Sequence, residues 1–124
     1  MPNQIQNPNL QRKYDLIERT AKYGEEVITF LMRLSDNPII TPIKSQLVRS
    51  ATSIGANYAE ADGAESKKDF IHKIGLCKKE AKESVYWVRM LLIARPDLGI
   101  QCRKFSQEAH ELSLIFSSII RSCK

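Results

Sequence analysis

The sequence predicts an all-α protein folded as an antiparallel up-down-up-down four-helix bundle. Three observations predict it. Apolar residues recur at spacings of three and four through four long stretches of the 124 residues. The prolines fall outside the long periodic runs and glycine is scarce, which argues against a turn-rich β fold. The connections are short, so consecutive helices should lie antiparallel. The length suits a single domain over residues 1–124. A chain of this size buries roughly two-thirds of its unfolded surface, enough for a core without staples.

Taken in order, residues 1–9 read as a polar lead-in, with Asn7-Pro8 or Asn9 capping the first helix. That helix spans about residues 10–35. Its expected core stripe is Ile17, Thr20, Ala21, Gly24, Val27, Ile28, Leu31 and Leu34, and Gly24 marks either a close helix crossing or a tolerated glycine. Ser35-Asp36-Asn37-Pro38 ends it. Thr41-Pro42 predicts the start of a second helix over about 42–62, combining a cap with proline at the first helical position. Its stripe is Ile43, Leu47, Ala51, Ile54, Tyr58 and Ala61. Beside the stripe runs a polar row, Ser50, Ser53, Asn57 and Glu60, at spacings three, four and three.

Asp62-Gly63-Ala64-Glu65 breaks this helix, and Ser66-Lys67-Lys68-Asp69 has the form of a capping box for a third, over about 66–94. Its stripe is Phe70, Ile74, Cys77, Ala81, Ser84, Val85, Val88, Leu91 and Leu92. A second, mixed face holds Leu76, Glu80, Glu83, Trp87 and Met90, so this helix should be covered on more than one side, most simply by another subunit. Arg95-Pro96-Asp97-Leu98-Gly99 turns the chain into a fourth helix, about 100–122, with Phe105, Ala109, Leu112, Ile115, Phe116, Ile119 and Ile120 inward.

The net charge is +5 with a pI near 9.2. Such a surplus suits an anionic partner, and is also common on proteins with none. Residues 66–94 carry seven Lys or Arg against three Asp or Glu, most of the excess. Lys68, His72, Lys79, Lys82 and Arg89 recur near one face of that helix, the footprint of an RNA- or DNA-binding surface reading the phosphate backbone and not the bases. The plainer reading is a solvated face with pairs such as Lys79 to Glu83. For the polar row, with Arg49 and a carboxylate from Glu60, Glu80 or Glu83, a buried network that fixes helix register or subunit pairing is favoured over a ligand or catalytic site.

No metal, cofactor or catalytic residue is expected. Cys77, Cys102 and Cys123 have neither zinc nor disulfide spacing, and Cys77 reads as core. His72 and His110 are preceded three residues earlier by Asp69 and Gln107, so neither completes a di-iron E-x-x-H motif. No P-loop or G-x-S-x-G is present. No run is apolar enough for a membrane span and no signal peptide is visible, so no membrane partner and a cytoplasmic location are expected.

The stretch QLVRSATSIGANYAEADGAESKKDFIHKIGLCKKEAKESVYWVRMLLIA resembles the four-helix-bundle family named for proteins encoded in intervening sequences of bacterial 23S rRNA genes. The resemblance rests on Gln46, Leu47, Arg49, Ser50, Ser53, Ile54, Asn57 and Glu60, then Phe70, then Glu80 and Glu83. It departs from the family pattern at Lys78, Lys79 and Lys82, which are extra cations, and at Asp62 in the turn. The resemblance implies a cytoplasmic bacterial protein assembled as a homopentameric ring. It also implies kinship with accessory bundles of reverse transcriptases in diversity-generating retroelements, which bind nucleic acid through a basic surface. Together these readings favour a non-enzymatic oligomeric bundle that binds RNA or DNA through its third helix. The alternatives are a protein-binding scaffold or accessory subunit, and a small enzyme using Arg49, Glu60 and Glu80.

Overall fold

The computed structural model describes the backbone from Pro8 and side chains from Asp15 onward. Residues 1–7, among them Asn7 of the expected cap, lie outside the described residues. Four helices follow: α1 (Pro8–Met32), α2 (Ile40–Asp62), α3 (Lys67–Ala94) and α4 (Gly99–Ser122), with a 3-10 turn at Pro96–Leu98 before α4. No strand occurs among the described residues.

The connections depart from expectation in two places. α1 stops at Met32, and Lys44 of α2 reaches back to satisfy its end: Nζ donates to the Leu34 carbonyl at 2.9 Å while pairing with Asp36. α2 begins at Ile40, ahead of the expected Thr41 cap. Asn37 does the capping, its Oδ1 accepting the backbone N–H groups of Ile39 and Ile40, both at 2.8 Å. The Thr41 hydroxyl donates to Asp36 at 3.2 Å instead. Pro42 still falls in the first turn, where no intrahelical N–H bond is required. At α3 the N-cap half of the expected capping box forms, with Ser66 Oγ accepting the Asp69 N–H at 3.0 Å.

One hydrophobic cluster runs through all four helices. The stripes of α2, α3 and α4 point into it, with Ile43, Phe70, Val85, Leu92, Phe105, Ile115, Ile119 and Ile120 partly buried at its margin. α1 is rotated relative to its expected stripe. It buries Leu16, Tyr23 and Phe30 beside Thr20, Gly24, Val27, Leu31 and Leu34, and leaves Ala21 and Ile28 at the surface. Tyr23 and Phe30 are drawn inward by Phe105 of α4, with ring centroids 6.0 and 5.1 Å away, and the Tyr23 hydroxyl donates to the Phe105 carbonyl at 3.0 Å.

Neighbours along the chain are neighbours in space. α1 meets α2 through a close glycine crossing: a Cβ at Gly55 would stand 3.3 Å from Thr20 Oγ1, and one at Gly24 would stand 3.4 Å from Thr52 Cα. Arg49–Glu80 and Glu60–Lys73 fix α2 antiparallel to α3. Between α1 and α4 the backbones touch lightly. Among the described residues that seam is closed by the aromatic trio and by Arg19, whose Nε and Nη2 grip Glu108 at 2.7 and 2.8 Å while Nη2 also reaches Glu111 at 3.1 Å.

Candidate nucleic-acid interface

α3 sorts its charges by face. Its carboxylates Glu80 and Glu83 turn toward α2, where both accept from the Arg49 guanidinium. Glu83 also accepts from Trp87 Nε1 at 3.1 Å. That indole bond, with Arg49 beside it, holds the Glu83 carboxyl below its ordinary range. Lys73, on the same side, pairs with Glu60 at 2.6 Å.

The adjoining outer face carries Lys68, His72, Lys79, Lys82 and Arg89, all exposed, spread along about 30 Å of helix, with Lys79 one turn from Glu83 and near enough to help hold that carboxyl down. No ion pair among the described residues engages any of them. Tyr86 stands in this row, 51% exposed, with its ring edge-on to Trp87 at 5.0 Å. α4 extends the pattern, since Glu108 and Glu111 are held by Arg19 on the α1 side and Asp97 by Arg95. Residues 66–124 hold twelve Lys or Arg against six Asp or Glu, while residues 1–65 hold seven against eight. The charge asymmetry therefore belongs to the α3–α4 half of the molecule, a wider span than the third helix alone suggests.

The polar row of α2 is not the buried network its spacing predicts. Only Ser50 is buried; its hydroxyl donates to the Leu47 carbonyl at 3.2 Å and accepts from Ser84 at 3.0 Å. Ser53 donates to the Arg49 carbonyl and Asn57 to the Ser53 carbonyl, both within α2. Arg49 and Glu60 lie at the surface. The row spreads because the buried arc of α2 is filled by Leu47, Ala51, Ile54, Tyr58 and Ala61. It cross-links α2 to α3 from outside, with its carboxylates already matched to cations. On the mixed face of α3, Trp87 is partly buried against the core and Tyr86 beside it is exposed.

Two further grooves escaped the sequence reading. The larger, about 720 Å³, follows the open α1–α4 seam over Tyr23, Phe30 and Phe105, with Arg33 and Lys104 on its rim. The aromatic spacing of Tyr23 and Phe30, seven residues apart, was the signal available for it. The smaller, about 340 Å³, lies between α1 and α2 and is lined by small and apolar residues including Ala21, Ile28, Gly55 and Ala56. Among the described residues no three of His, Cys, Asp and Glu gather as metal ligands, and no helix is long and apolar enough to cross a membrane.

No curated protein matches the chain at a significant level. A crystal structure of a protein of unknown function from the S23 ribosomal protein family of Bacteroides thetaiotaomicron is similar to it. The two share 28% sequence identity and superpose with a TM-score of 0.80, over 88% of this chain and 97% of that one. The model of the 23S rRNA-intervening sequence protein family matches residues 12–118. The chain therefore belongs to the family of 23S rRNA-intervening sequence proteins.

Proposed function

We propose that the protein is a non-enzymatic, oligomeric helical bundle that binds RNA or DNA through the outer face of α3. One observation carries the reading: the cations of this face stand exposed and no ion pair among the described residues engages them, while Glu80 and Glu83 are bound by Arg49 and Glu108 and Glu111 by Arg19. A folded protein that separates its charges in this way presents a band of positive potential to a phosphate backbone. Tyr86 adds a ring on which any base can stack. Binding of this kind is sequence-tolerant and weakens steeply with salt. Assembly into the homopentameric ring that the resemblance implies would multiply the band, and the apolar α1–α2 groove supplies surface for subunit contact.

The test is the mobility of labelled RNA and DNA at two salt concentrations, with solution mass measured before and after nuclease treatment. A shift at low salt that is lost in Lys68→Gln/Lys79→Gln/Arg89→Gln supports the reading. No shift at low salt removes it, and a monomeric mass removes the oligomer.

The protein-partner reading keeps an observation of its own. Met32, Ile39, Ile93 and Ile100 are 79%, 64%, 78% and 75% exposed, and all fall at the end of the bundle where α1 turns into α2 and α3 into α4. A native pull-down whose captured partner is lost in Ile93→Ser/Ile100→Ser would favour that reading.

A further inference from the structure

The cleft between α3 and α4 differs in chemistry from the other two grooves. It encloses about 420 Å³, and Lys78 and Lys82 of α3 face His110 and Ser117 of α4 across it. No carboxylate lines it. None stands three or four residues from Lys78, Lys82, His110 or Ser117 on its own helix either. The nearest acids of the two helices are held elsewhere, Glu80 and Glu83 by Arg49, Glu108 and Glu111 by Arg19. Lys78 and Lys82 are one turn apart, and like charges at that spacing repel within a helix. Ser113, also in the lining, has its hydroxyl committed to the His110 carbonyl at 2.6 Å. The His110 ring and the Ser117 hydroxyl have no hydrogen-bond partner among the described residues. Two cations and two free donors thus converge on one concave site contiguous with the exposed cation row, which shares Lys82 with it.

We infer that this cleft is a phosphate subsite, anchoring one phosphodiester of a nucleic-acid backbone between Lys78 and Lys82, with His110 and Ser117 donating hydrogen bonds to its oxygens. The inference rests on the nucleic-acid reading above and adds the point at which the backbone is gripped. An anion seated there relieves the repulsion between the two lysines and satisfies donors from both helices at once.

The experiment measures fluorescence anisotropy of a labelled RNA hairpin across a salt series with four folded proteins, their helicity verified by circular dichroism. They are the wild type, Lys78→Gln/Lys82→Gln, His110→Ala/Ser117→Ala, and a charge-matched control, Lys22→Gln/Lys104→Gln, on the α1–α4 groove. Each lost contact should weaken binding about eightfold at about 0.1 M salt and flatten the salt dependence by close to one contact's worth. The cleft lysine pair should therefore lose far more affinity than the control. The His110/Ser117 variant should weaken binding several-fold although its formal charge is unchanged. If both lysine pairs lose the same affinity, or the His110/Ser117 variant binds as wild type, the subsite is overturned while nucleic-acid binding stands. If the wild type binds no RNA, the broader reading and the subsite fall together. Inorganic phosphate that perturbs the His110 resonance of a protein unable to bind RNA would assign the cleft to a free anion, which also overturns it.

Discussion

Replacing glycine by alanine should have opposite consequences at two helical positions. Gly75 lies in mid-α3, where an added Cβ meets nothing within 4 Å. Alanine is favoured over glycine in a helix interior by about 0.8–1.0 kcal/mol, so Gly75→Ala should stabilise by about that amount. For a chain of this length that is a rise of about 3–5 °C in melting temperature. Gly55 sits at the α1–α2 crossing, where the same Cβ would stand 3.3 Å from Thr20 Oγ1 and 3.4 Å from both the carbonyl carbon and oxygen of Thr20. The closest of the three is a side-chain oxygen and the other two are backbone atoms already at contact distance, so Thr20 and the α1 backbone behind it must give by a few tenths of an ångström. Overpacking of this kind costs about 1–3 kcal/mol, which offsets or exceeds the propensity gain. Gly24 is intermediate, its Cβ meeting Thr52 Cα at 3.4 Å and the Ala51 carbonyl at 3.6 Å. The assay is urea denaturation followed by circular dichroism at one protein concentration, and the expected order of stability is Gly75→Ala, then Gly24→Ala, then Gly55→Ala. A Gly55→Ala protein as stable as Gly75→Ala would refute the claim that the missing Cβ sets the α1–α2 approach. A destabilised Gly75→Ala would refute the open space above that face of α3.

Ser50→Ala and Ser84→Ala should each cost about 1 kcal/mol, and the double variant less than their sum, because the two hydroxyls bond each other inside the core; an additive cycle in urea denaturation would argue against that bond. Arg49→Met should cost under about 1 kcal/mol at neutral pH, since the guanidinium is nearly half exposed. It should also soften the acid limb of the stability profile. The Glu83 carboxyl is held below its unfolded value, so its contribution is present at neutral pH and is lost as pH falls through the lowered value; removing Arg49 shrinks that loss, as urea midpoints at neutral and acid pH will register. Among the thiols, Cys123 should react with a disulfide reagent in the native protein. Cys77, its thiol pushed up to about 12 mainly by burial, and the buried Cys102 should react only on unfolding, as a timed thiol assay with and without denaturant will show.

The helices, their breaks and three of the four core stripes are legible in residue spacing because each is a local periodic signal. The Ser66–Asp69 box is legible for the same reason. The rotation of α1 is not. Ala21 and Ile28 satisfy the helical period as well as Tyr23 and Phe30 do, and Phe105, more than seventy residues away, decides between them. The cap of α2 was misassigned because Asn37 acts across Pro38, from outside the residues next to the helix. At the candidate interface, the exposed row could be read from the sequence by placing residues on a wheel. That its carboxylates are drawn off by Arg49 and Arg19 depends on contacts between distant segments. So does the pairing of Lys78 and Lys82 with His110 across the α3–α4 cleft.

The lightly closed α1–α4 seam sets an order in which the molecule comes apart. α1 is fastened along one flank by the glycine crossing and on the other mainly by three rings and one arginine, whereas α3 is gripped by helices on both sides. Peeling α1 away breaks one main helix contact where releasing α3 breaks two, so its amide protons should exchange with solvent deuterium well before those of Ile74 to Leu91. Such a first-to-open strip would leave α2, α3 and α4, with every cation of the proposed interface, still folded together.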